Sequence, residues 1–284
     1  TQQPSSVQST LRNCVKKYLG VATKEEPGHF MDYMNRNATN VMSLSRVGMT
    51  GALADLFYGL TNGKDAIDIS TDTATRTERI FLFCLFWTVG GCLDVPSRHK
   101  MDEYIRKIDP KFMPTLNGVE ETIFEYFVDV NGEWSFWKPP AWHYPSGEKL
   151  DFSNLLVPTM DSTRANYNMF HMHKQRKSVC LVGGEGTAKT SCALMFFATL
   201  DPAEMLVKRV NFSSATTPFM AQQSVEVELE KRGGKDFGPP GGRRMTIFMD
   251  DVSMPEINKW GDQPTLEMVF WWVGERAKAQ LDDA

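Results

Sequence analysis

The sequence predicts an α/β fold: an incomplete three-layer arrangement around a parallel sheet, preceded by a mainly helical region. Three observations predict it. Up to about residue 150, apolar residues recur at the three- and four-residue spacing of helices. Beyond residue 150, short β-prone runs alternate with helical runs, as in sheets built from right-handed crossovers. A glycine-rich loop lies between the first of these β-prone runs and the helical run that follows it.

The helical region, residues 1–110, is predicted from blocks of apolar periodicity. In one block, Leu53, Leu56 and Leu60 fall on one helix face. The most apolar run, residues 80–93, is too short to cross a bilayer and is predicted to be a buried helix. The last block is predicted to stop at Asp109-Pro110. The predicted helical blocks are residues 7–19, 40–60, 73–93 and 98–108.

Residues 111–152 are predicted to connect the two regions. Alternating aromatic residues on either side of Asn131-Gly132 predict a short hairpin, and the prolines after it predict an irregular loop. Trp134, Trp137 and Trp142 could form a stacking platform for a ligand. We interpret them instead as side chains that pack this awkward connection, the more common use of such a cluster.

Residues 153–269 carry the strand and helix alternation. We predict helices over residues 190–200 and 218–232, and a glycine- and proline-rich connector over residues 233–244. The last β-prone run is apolar almost throughout, which is typical of a buried parallel strand. The predicted strands are residues 177–182, 206–212 and 245–251.

Composition and charge restrict the partners. Of 284 residues, 42% are hydrophobic and 23% charged, and the formal net charge is −4. These values favour a globular protein and give no reason to expect nucleic acid or a membrane as partner. The five cysteines are odd in number and lack the CxxC spacing, so we expect free thiols and no zinc site. The histidines of "HMHK", His171 and His173, are interpreted as solvated residues at a helix end.

The glycine-rich loop matches the phosphate-binding pattern G-x-x-x-x-G-K-[ST], except that Ala188 replaces the second glycine. The pattern indicates a P-loop NTPase, in which backbone N–H groups and a helix N-terminus bind phosphate and Lys189 reaches the β- and γ-phosphates. We expect Ala188 to lie in the first helical turn, where a methyl group is tolerated. The predicted nucleotide-binding loop comprises Gly183, Gly184, Glu185, Gly186, Thr187, Ala188, Lys189, Thr190 and Ser191.

A second motif, the strand that ends in Asp250-Asp251, completes the predicted site. Thr190 and Asp250 are the expected Mg²⁺ ligands, because hard oxygen donors suit that ion. Asp251 is the candidate base that orients the attacking water. Many P-loop ATPases have glutamate at this position, and the shorter aspartate predicts slow turnover. The sequence thus predicts binding of ATP or ADP with Mg²⁺ and leaves hydrolysis open.

With these motifs placed, the chain resembles dynein heavy chains, the axonemal and outer-arm-like ones most closely. Five segments carry the resemblance in the family's order and spacing. They are "LLVPTMDSTRANYNM" (155–169), "GEGTAKT" (184–190), "VNFSSATTP" (210–218), "FGPPGGRRMTIFMDDVSMP" (237–255) and "NKWGDQPTLEMV" (258–269).

The resemblance implies a fragment that spans the end of the second AAA+ module and the start of the third. Residues 1–110 would be the lid or end of the preceding module, and Val157, Pro158, Thr159 and Arg164 would approach the adenine. The site would be regulatory, within a microtubule motor ring that drives ciliary motility. Implied partners are the other AAA+ modules, the microtubule, and dynein intermediate and light chains. The implied location is the cytoplasm and the axoneme of a cilium or flagellum.

The sequence departs from the family at its end and leaves alternatives open. Phe270, Trp271 and Trp272 are out of character, so residues 270–284 are interpreted as a divergent tail. The chain also lacks a sensor residue after the second motif, and we expect it to be inactive alone. One alternative is a stand-alone P-loop nucleotide-binding protein or kinase. Another is a structural module whose bound nucleotide only supports the ring.

Overall fold

The computed structural model describes residues 5–20, 30–43, 45–143, 155–234 and 236–282. The chain divides into two compact units, Thr1–Lys189 and Thr190–Ala284, which are described in turn. Part of the predicted irregular loop, residues 144–150, lies outside the described residues. No helix among the described residues is both long enough and apolar enough to cross a membrane.

The first unit is mainly helical, as predicted. Four of the six α-helices described in this unit correspond to the predicted blocks, and for α6 only the end, at His171 and His173, was predicted. Helix α2 is an addition that the periodicity did not predict because it is only two turns long. It forms because Phe30, Met31 and Met34 are all buried in the unit's core. The helices described in this unit are α1 (Ser5–Cys14), α2 (Phe30–Asn37), α3 (Arg46–Thr61), α4 (Thr73–Thr88), α5 (Val95–Ile108) and α6 (Met160–Lys174).

Helix α4 is the centre of this core. Residues 80–86 are each at most 2% exposed, and the helix packs against both α1 and α3. A helix that is apolar on all sides is stable only when other elements surround it. The observed burial therefore confirms the predicted buried helix. It ends at Thr88, earlier than predicted, and a 3₁₀ turn follows over Gly90–Cys92. A Cβ at Gly90 would lie 2.7 Å from Met101 Sδ and 2.8 Å from Phe124 Cζ, so any larger residue there would have to displace these side chains.

Helix α5 is fixed at both ends by polar contacts. The Asp94 carboxylate accepts a hydrogen bond from Ser97 N at 2.9 Å, so the helix begins at Val95, three residues before the predicted start. It ends at Ile108, as predicted, before Asp109-Pro110. The buried Asp109 carboxylate accepts a hydrogen bond from Tyr18 and forms an ion pair with Lys17. This contact ties the end of α5 to the π-helical turn, Val15–Leu19, that extends α1.

The predicted hairpin is present as strands β1 (Tyr126–Val128) and β2 (Trp134–Phe136), which are antiparallel. The turn uses Gly132, whose φ of +76° is the left-handed conformation that favours glycine. Trp137 is buried and stacks on Phe127 with ring centroids 4.4 Å apart. Trp134 Nε1 donates a hydrogen bond to Phe112 O at 2.7 Å. These two tryptophans therefore pack the connection, as we interpreted them.

The interpretation of His171 as a solvated residue is wrong. It is 4% exposed, because α6 packs against α3. Its Nδ1 lies 3.1 Å from the carbonyl oxygen of Gly59, and its ring contacts Tyr167. A Cβ at Gly59 would lie 2.9 Å from His171 O, so the two backbones approach closely. Burial lowers the pKa of the His171 imidazole from its usual 6.5.

The lowered pKa of His171 predicts that the first unit loses stability in mild acid. Below pH 6.5 the imidazole of His171 becomes protonated in the unfolded chain, whereas in the folded chain its lowered pKa keeps it neutral to a lower pH. The free energy of unfolding therefore falls as pH falls. One proton accounts for at most about 1.4 kcal/mol per pH unit. The measurement is urea unfolding at pH 7.5 and pH 5.5 of the wild type, His171→Gln, and the control His99→Gln. Equal pH dependence in all three would contradict the prediction.

The second unit contains the predicted parallel sheet. Strands β3 (Met205–Asn211) and β6 (Arg244–Asp250) are parallel, with Met205 beside Arg244 and Asn211 beside Asp250. The remaining α-helices and strands described in this unit are α7 (Lys189–Phe197), α8 (Pro218–Glu226), β4 (Glu230–Gly233), β5 (Asp236–Gly238) and α9 (Pro264–Asp282). Helix α7 begins at the last residue of the first unit.

The two faces of this sheet are covered by different helices, as a three-layer fold requires. Phe248 of β6 contacts Phe197 of α7. Its neighbours Ile247 and Met249 pack in a small core with residues of α8 and α9. Alternate residues of a strand point to opposite faces, so α7 lies on one face and α8 with α9 on the other. The fold class predicted from the sequence is therefore confirmed within this unit.

Two predicted elements of the α/β region are wrong. Residues 177–182 form no strand: they pair with none of the described strands, and Val179 and Val182 are 44% and 50% exposed. A segment with strand propensity forms a strand only when a neighbouring strand makes hydrogen bonds with its backbone N–H and C=O groups. The helix predicted to reach residue 232 ends at Glu226, and β4, which begins at Glu230 within that predicted helix, pairs with β5 in the predicted glycine- and proline-rich connector. Gly234, with φ of +55°, lies in the turn of this hairpin.

Candidate functional site

The phosphate loop, residues 183–188, leads directly into the N-terminus of α7. Within the loop, Thr187 Oγ1 donates a hydrogen bond to Gly184 O at 2.9 Å. Gly186 has a φ of +70°, so a glycine is needed at that turn. Lys189 Nζ donates to Gly184 O at 2.6 Å and to Gly183 O at 3.2 Å. The ammonium group is thus held by carbonyl oxygens that a negatively charged ligand could replace.

Ala188 does not lie in the first helical turn, contrary to our expectation. The helix begins at Lys189, and Ala188 has a φ of +59° in the left-handed region. A Cβ in this conformation crowds the following carbonyl oxygen, at a cost of about 1 kcal/mol. The alanine therefore keeps the backbone conformation for which the usual motif has glycine. The loop is closed in spite of the substitution and carries some backbone strain.

The left-handed Ala188 predicts that Ala188→Gly stabilises the protein. We expect the free energy of unfolding to rise by about 0.5 kcal/mol, because relief of the strain outweighs the greater freedom of glycine in the unfolded chain. Urea unfolding measures the change. The matched control is Ala193→Gly, inside α7, where glycine should cost about 1 kcal/mol or more. If both substitutions destabilise the protein, Ala188 is not strained.

The two predicted Mg²⁺ ligands lie next to each other in the second unit. Thr190 is in the first turn of α7, and Asp250 is the last residue of β6. Thr190 Oγ1 donates to Asp250 Oδ2 at 3.1 Å and is 3.2 Å from Oδ1. The Asp250 side chain is 15% exposed. A hydroxyl and a carboxylate at hydrogen-bond distance are a hard-oxygen donor set of the kind that Mg²⁺ prefers, so these residues fit the ion.

Asp251 differs from its neighbour. It follows the end of β6 although the strand was predicted to include it, and its φ of +56° is left-handed. Its carbonyl oxygen accepts a hydrogen bond from Met254 N at 2.9 Å, so it opens a turn and is exposed to solvent. Asp251 makes no hydrogen bond or ion pair through its carboxylate with the part of the chain that the structure describes. Its role as a base stays a prediction.

Two further residues at this site, Arg209 and Asn211, were not predicted from the sequence, and both lie on β3. Arg209 Nη2 donates to Asp250 Oδ2 at 2.9 Å, forming an ion pair with the predicted metal ligand. Arg209 Nε donates to Asn211 Oδ1 at 2.7 Å. The two-residue spacing places both on one face of the strand, and the sequence showed that much. What the sequence did not reveal is the register that brings this face to Asp250.

The residues predicted to approach the adenine lie in the first unit. Val157 is exposed, and Thr159 caps α6: its hydroxyl accepts from Ser162 N at 3.2 Å, and Ser162 Oγ accepts from Thr159 N at 2.8 Å. Arg164 pairs with Glu125 at 3.3 Å and with Asp161 at 3.1 Å. The capping and ion-pair contacts give Thr159 and Arg164 a structural role, and their contact with adenine stays a prediction.

Comparison with known protein families identifies two matches that together account for most of the chain. Residues 27–139 match the model of the dynein heavy chain AAA lid domain. Residues 144–277 match the P-loop containing dynein motor region. The second match covers the phosphate loop, Thr190 and Asp250, and it extends into the predicted divergent tail.

Individual proteins show the same similarity. The chain is 37% identical to human dynein axonemal heavy chain 8 over 254 residues, which are 88% of this chain and 6% of the relative. It is 40% identical to mouse dynein axonemal heavy chain 5 over 195 residues, 67% of this chain and 4% of the relative. It is 37% identical over 244 residues to the dynein gamma chain, flagellar outer arm, of Chlamydomonas reinhardtii, 84% of this chain and 5% of the relative. The chain thus spans about a twentieth of these relatives' length.

Proposed function

Because this chain belongs to the axonemal dynein heavy chain family, we propose that it binds ATP or ADP with Mg²⁺ as a regulatory site of a motor ring. The match of residues 144–277 to the P-loop containing dynein motor region supports this proposal. The whole motor would act on microtubules in the axoneme of a cilium or flagellum, together with the other AAA+ modules and with intermediate and light chains. The match to a dynein lid domain before the motor region disfavours a stand-alone kinase.

The observation that carries this proposal is the contact between Thr190 and Asp250, at 3.1 Å. The hydroxyl and the carboxylate would hold Mg²⁺, whose charge would offset that of the β- and γ-phosphates. Lys189 would exchange its carbonyl partners, Gly183 and Gly184, for phosphate oxygens. The backbone N–H groups at the start of α7 would add further donors at the positive end of the helix.

A second candidate, a structural module that binds nucleotide without turnover, is favoured by the position of Asp251. Its left-handed backbone and exposed side chain place it in a turn beyond the strand, and aspartate is shorter than the glutamate common in active sites. A single-turnover assay with radiolabelled ATP separates the two functions. Hydrolysis followed by exchange of ADP supports a regulatory cycle, whereas nucleotide that is neither hydrolysed nor exchanged supports the structural module.

The proposed binding is tested with fluorescent mant-ATP and mant-ADP added to the 284-residue chain. Circular dichroism first establishes that the chain is folded. We expect saturable binding with Mg²⁺ and roughly tenfold weaker binding with EDTA, because the metal contributes to phosphate binding. A folded chain that shows no saturable binding up to about 1 mM nucleotide, beyond the usual range for such sites, would refute the proposal.

A further inference from the structure

The Asp250 carboxylate is already neutralised by a cation of the chain itself. Its side chain is only 15% exposed, and a carboxylate so little solvated requires a compensating partner. Thr190 supplies one hydrogen bond, and Arg209 supplies the positive charge, 2.9 Å from Oδ2. The oxygen that Arg209 contacts is also the closer of the two to Thr190 Oγ1. Arg209 therefore occupies one of the oxygens on which the proposed Mg²⁺ site depends.

Arg209 is held in this orientation by its neighbours in the sheet. The parallel register places Asn211 beside Asp250 and Arg209 beside Phe248. Arg209 Nε donates to Asn211 Oδ1 at 2.7 Å, and the guanidinium lies 5.7 Å from the centroid of the Phe248 ring. An amide on one side and an aromatic face on the other limit the rotamers of a flexible side chain. The contact with Asp250 is thus prearranged by the strand pairing.

From this geometry we infer that Arg209 is a positioning residue that competes with Mg²⁺ for Asp250 and so lowers the metal affinity of the site. The inference rests on the proposed function. Arg209 contacts Asp250 directly, so Mg²⁺ can take the contacted oxygen only when the guanidinium moves away. Arg209 is 43% exposed and has solvent into which it can rotate. The same contact keeps Asp250 in place when no metal is bound.

This competition has a consequence for nucleotide selection. A nucleotide that arrives with Mg²⁺ must displace Arg209 from Asp250, and a metal-free nucleotide need not. The displaced guanidinium stays attached to β3, which is paired with β6, so it can return to Asp250 when the metal departs. Arg209 thereby reduces the advantage that Mg²⁺ gives to nucleotide binding. The measurable quantity is the ratio of the mant-ATP dissociation constants in EDTA and in Mg²⁺.

The test replaces Arg209 by methionine, which keeps most of the length and removes the charge. In Arg209→Met we expect the EDTA to Mg²⁺ ratio to rise roughly fivefold, the equivalent of one partly exposed ion pair. Mg²⁺ alone, without nucleotide, should raise the melting temperature of this variant more than that of the wild type. In EDTA the variant should melt lower than the wild type, because Asp250 has lost its counter-ion. A purely structural role would lower stability and leave the ratio unchanged.

Lys208→Met is the matched control. Lys208 lies on the same strand with its side chain on the other face, and it pairs with Glu228 at 2.6 Å. The substitution makes the same change in net charge and leaves the contacts of Asp250 intact. The ratio of the mant-ATP dissociation constants in EDTA and in Mg²⁺ should therefore equal that of the wild type. Asn211→Ala removes only the contact that orients Arg209 and should shift the ratio in the same direction by a smaller factor. It serves as the second variant if Arg209→Met does not fold.

The outcomes separate the two proposals. If the wild type binds mant-ATP with Mg²⁺ and the ratio is unchanged or falls in Arg209→Met and Asn211→Ala, the inference about Arg209 is overturned and the proposed function stands. If the folded wild type binds neither nucleotide nor Mg²⁺, the proposed function fails and the inference fails with it. A raised ratio in both variants, with Lys208→Met unchanged, supports the competition.

Discussion

Replacement of Lys189 by alanine is expected to weaken mant-ATP binding about a hundredfold, roughly 2.7 kcal/mol, which is within the range of a charge-assisted hydrogen bond to a charged ligand. The Lys189 ammonium lies within 3.3 Å of three acceptors in the phosphate loop, so it is already placed where phosphate would bind. Its contacts are at the protein surface, and their loss should change the free energy of unfolding by no more than about 0.5 kcal/mol. Equilibrium titration of the variant measures the effect.

The control for Lys189→Ala is Lys174→Ala. Lys174 is also in the first unit, and its ammonium pairs with Asp65 at 2.8 Å. Its removal changes the net charge equally, and nucleotide affinity should stay within about twofold of the wild type, as expected of a screened surface charge. A dissociation constant of Lys189→Ala within threefold of the wild type would show that the loop does not bind phosphate through this lysine.

Replacement of Phe81 by alanine is expected to lower the free energy of unfolding of the first unit by about 4 kcal/mol. Phe81 lies in the centre of α4, has no exposed surface and stacks on Tyr18 with ring centroids 5.7 Å apart. Because neighbours on α1 and α3 surround the helix, the cavity left by the ring can collapse only partly. Such a loss is a large share of the stability of an ordinary domain, so the variant should be partly unfolded at 37 °C.

The measurement for Phe81→Ala is urea unfolding followed by circular dichroism at 222 nm, which reports mainly on helices. Phe170→Ala is the matched control, because Phe170 is on α6 of the same unit and is 39% exposed. Its loss should cost less than about 1 kcal/mol. A cost for Phe81→Ala as small as that of the control would mean that α4 is not the centre of the core.

Helix α4 and the hairpin illustrate what local sequence determines. The run from Ile80 to Phe86 is apolar on every side, and only burial stabilises such a helix. Asn131-Gly132 supplies the backbone freedom that a tight turn requires, whatever lies around it. The phosphate loop is likewise local, because its glycines, Lys189 and Thr190 act within eight consecutive residues. For this reason the motif, the fold class and the family could all be predicted from the sequence.

The tertiary structure decided the features that depend on distant residues. Residues 177–182 have the composition of a strand, but without a hydrogen-bonded neighbour among the described residues they remain unpaired. His171 is buried because α3 presents Gly59 to it, 112 residues earlier in the chain. Ala188 has a left-handed conformation directly before α7, which helix propensity alone did not indicate.

The candidate site shows the same division. The sequence by itself predicted that Thr190 and Asp250 would act together, because Thr190 follows the loop lysine and Asp250 ends an apolar strand, the two places where such sites carry their Mg²⁺ ligands. That Arg209 reaches Asp250 was decided by the register of β3 against β6, in which a shift of one residue would turn the guanidinium to the other face. Register is set by the packing of both strands against their helices, and one strand's sequence carries too little of that information.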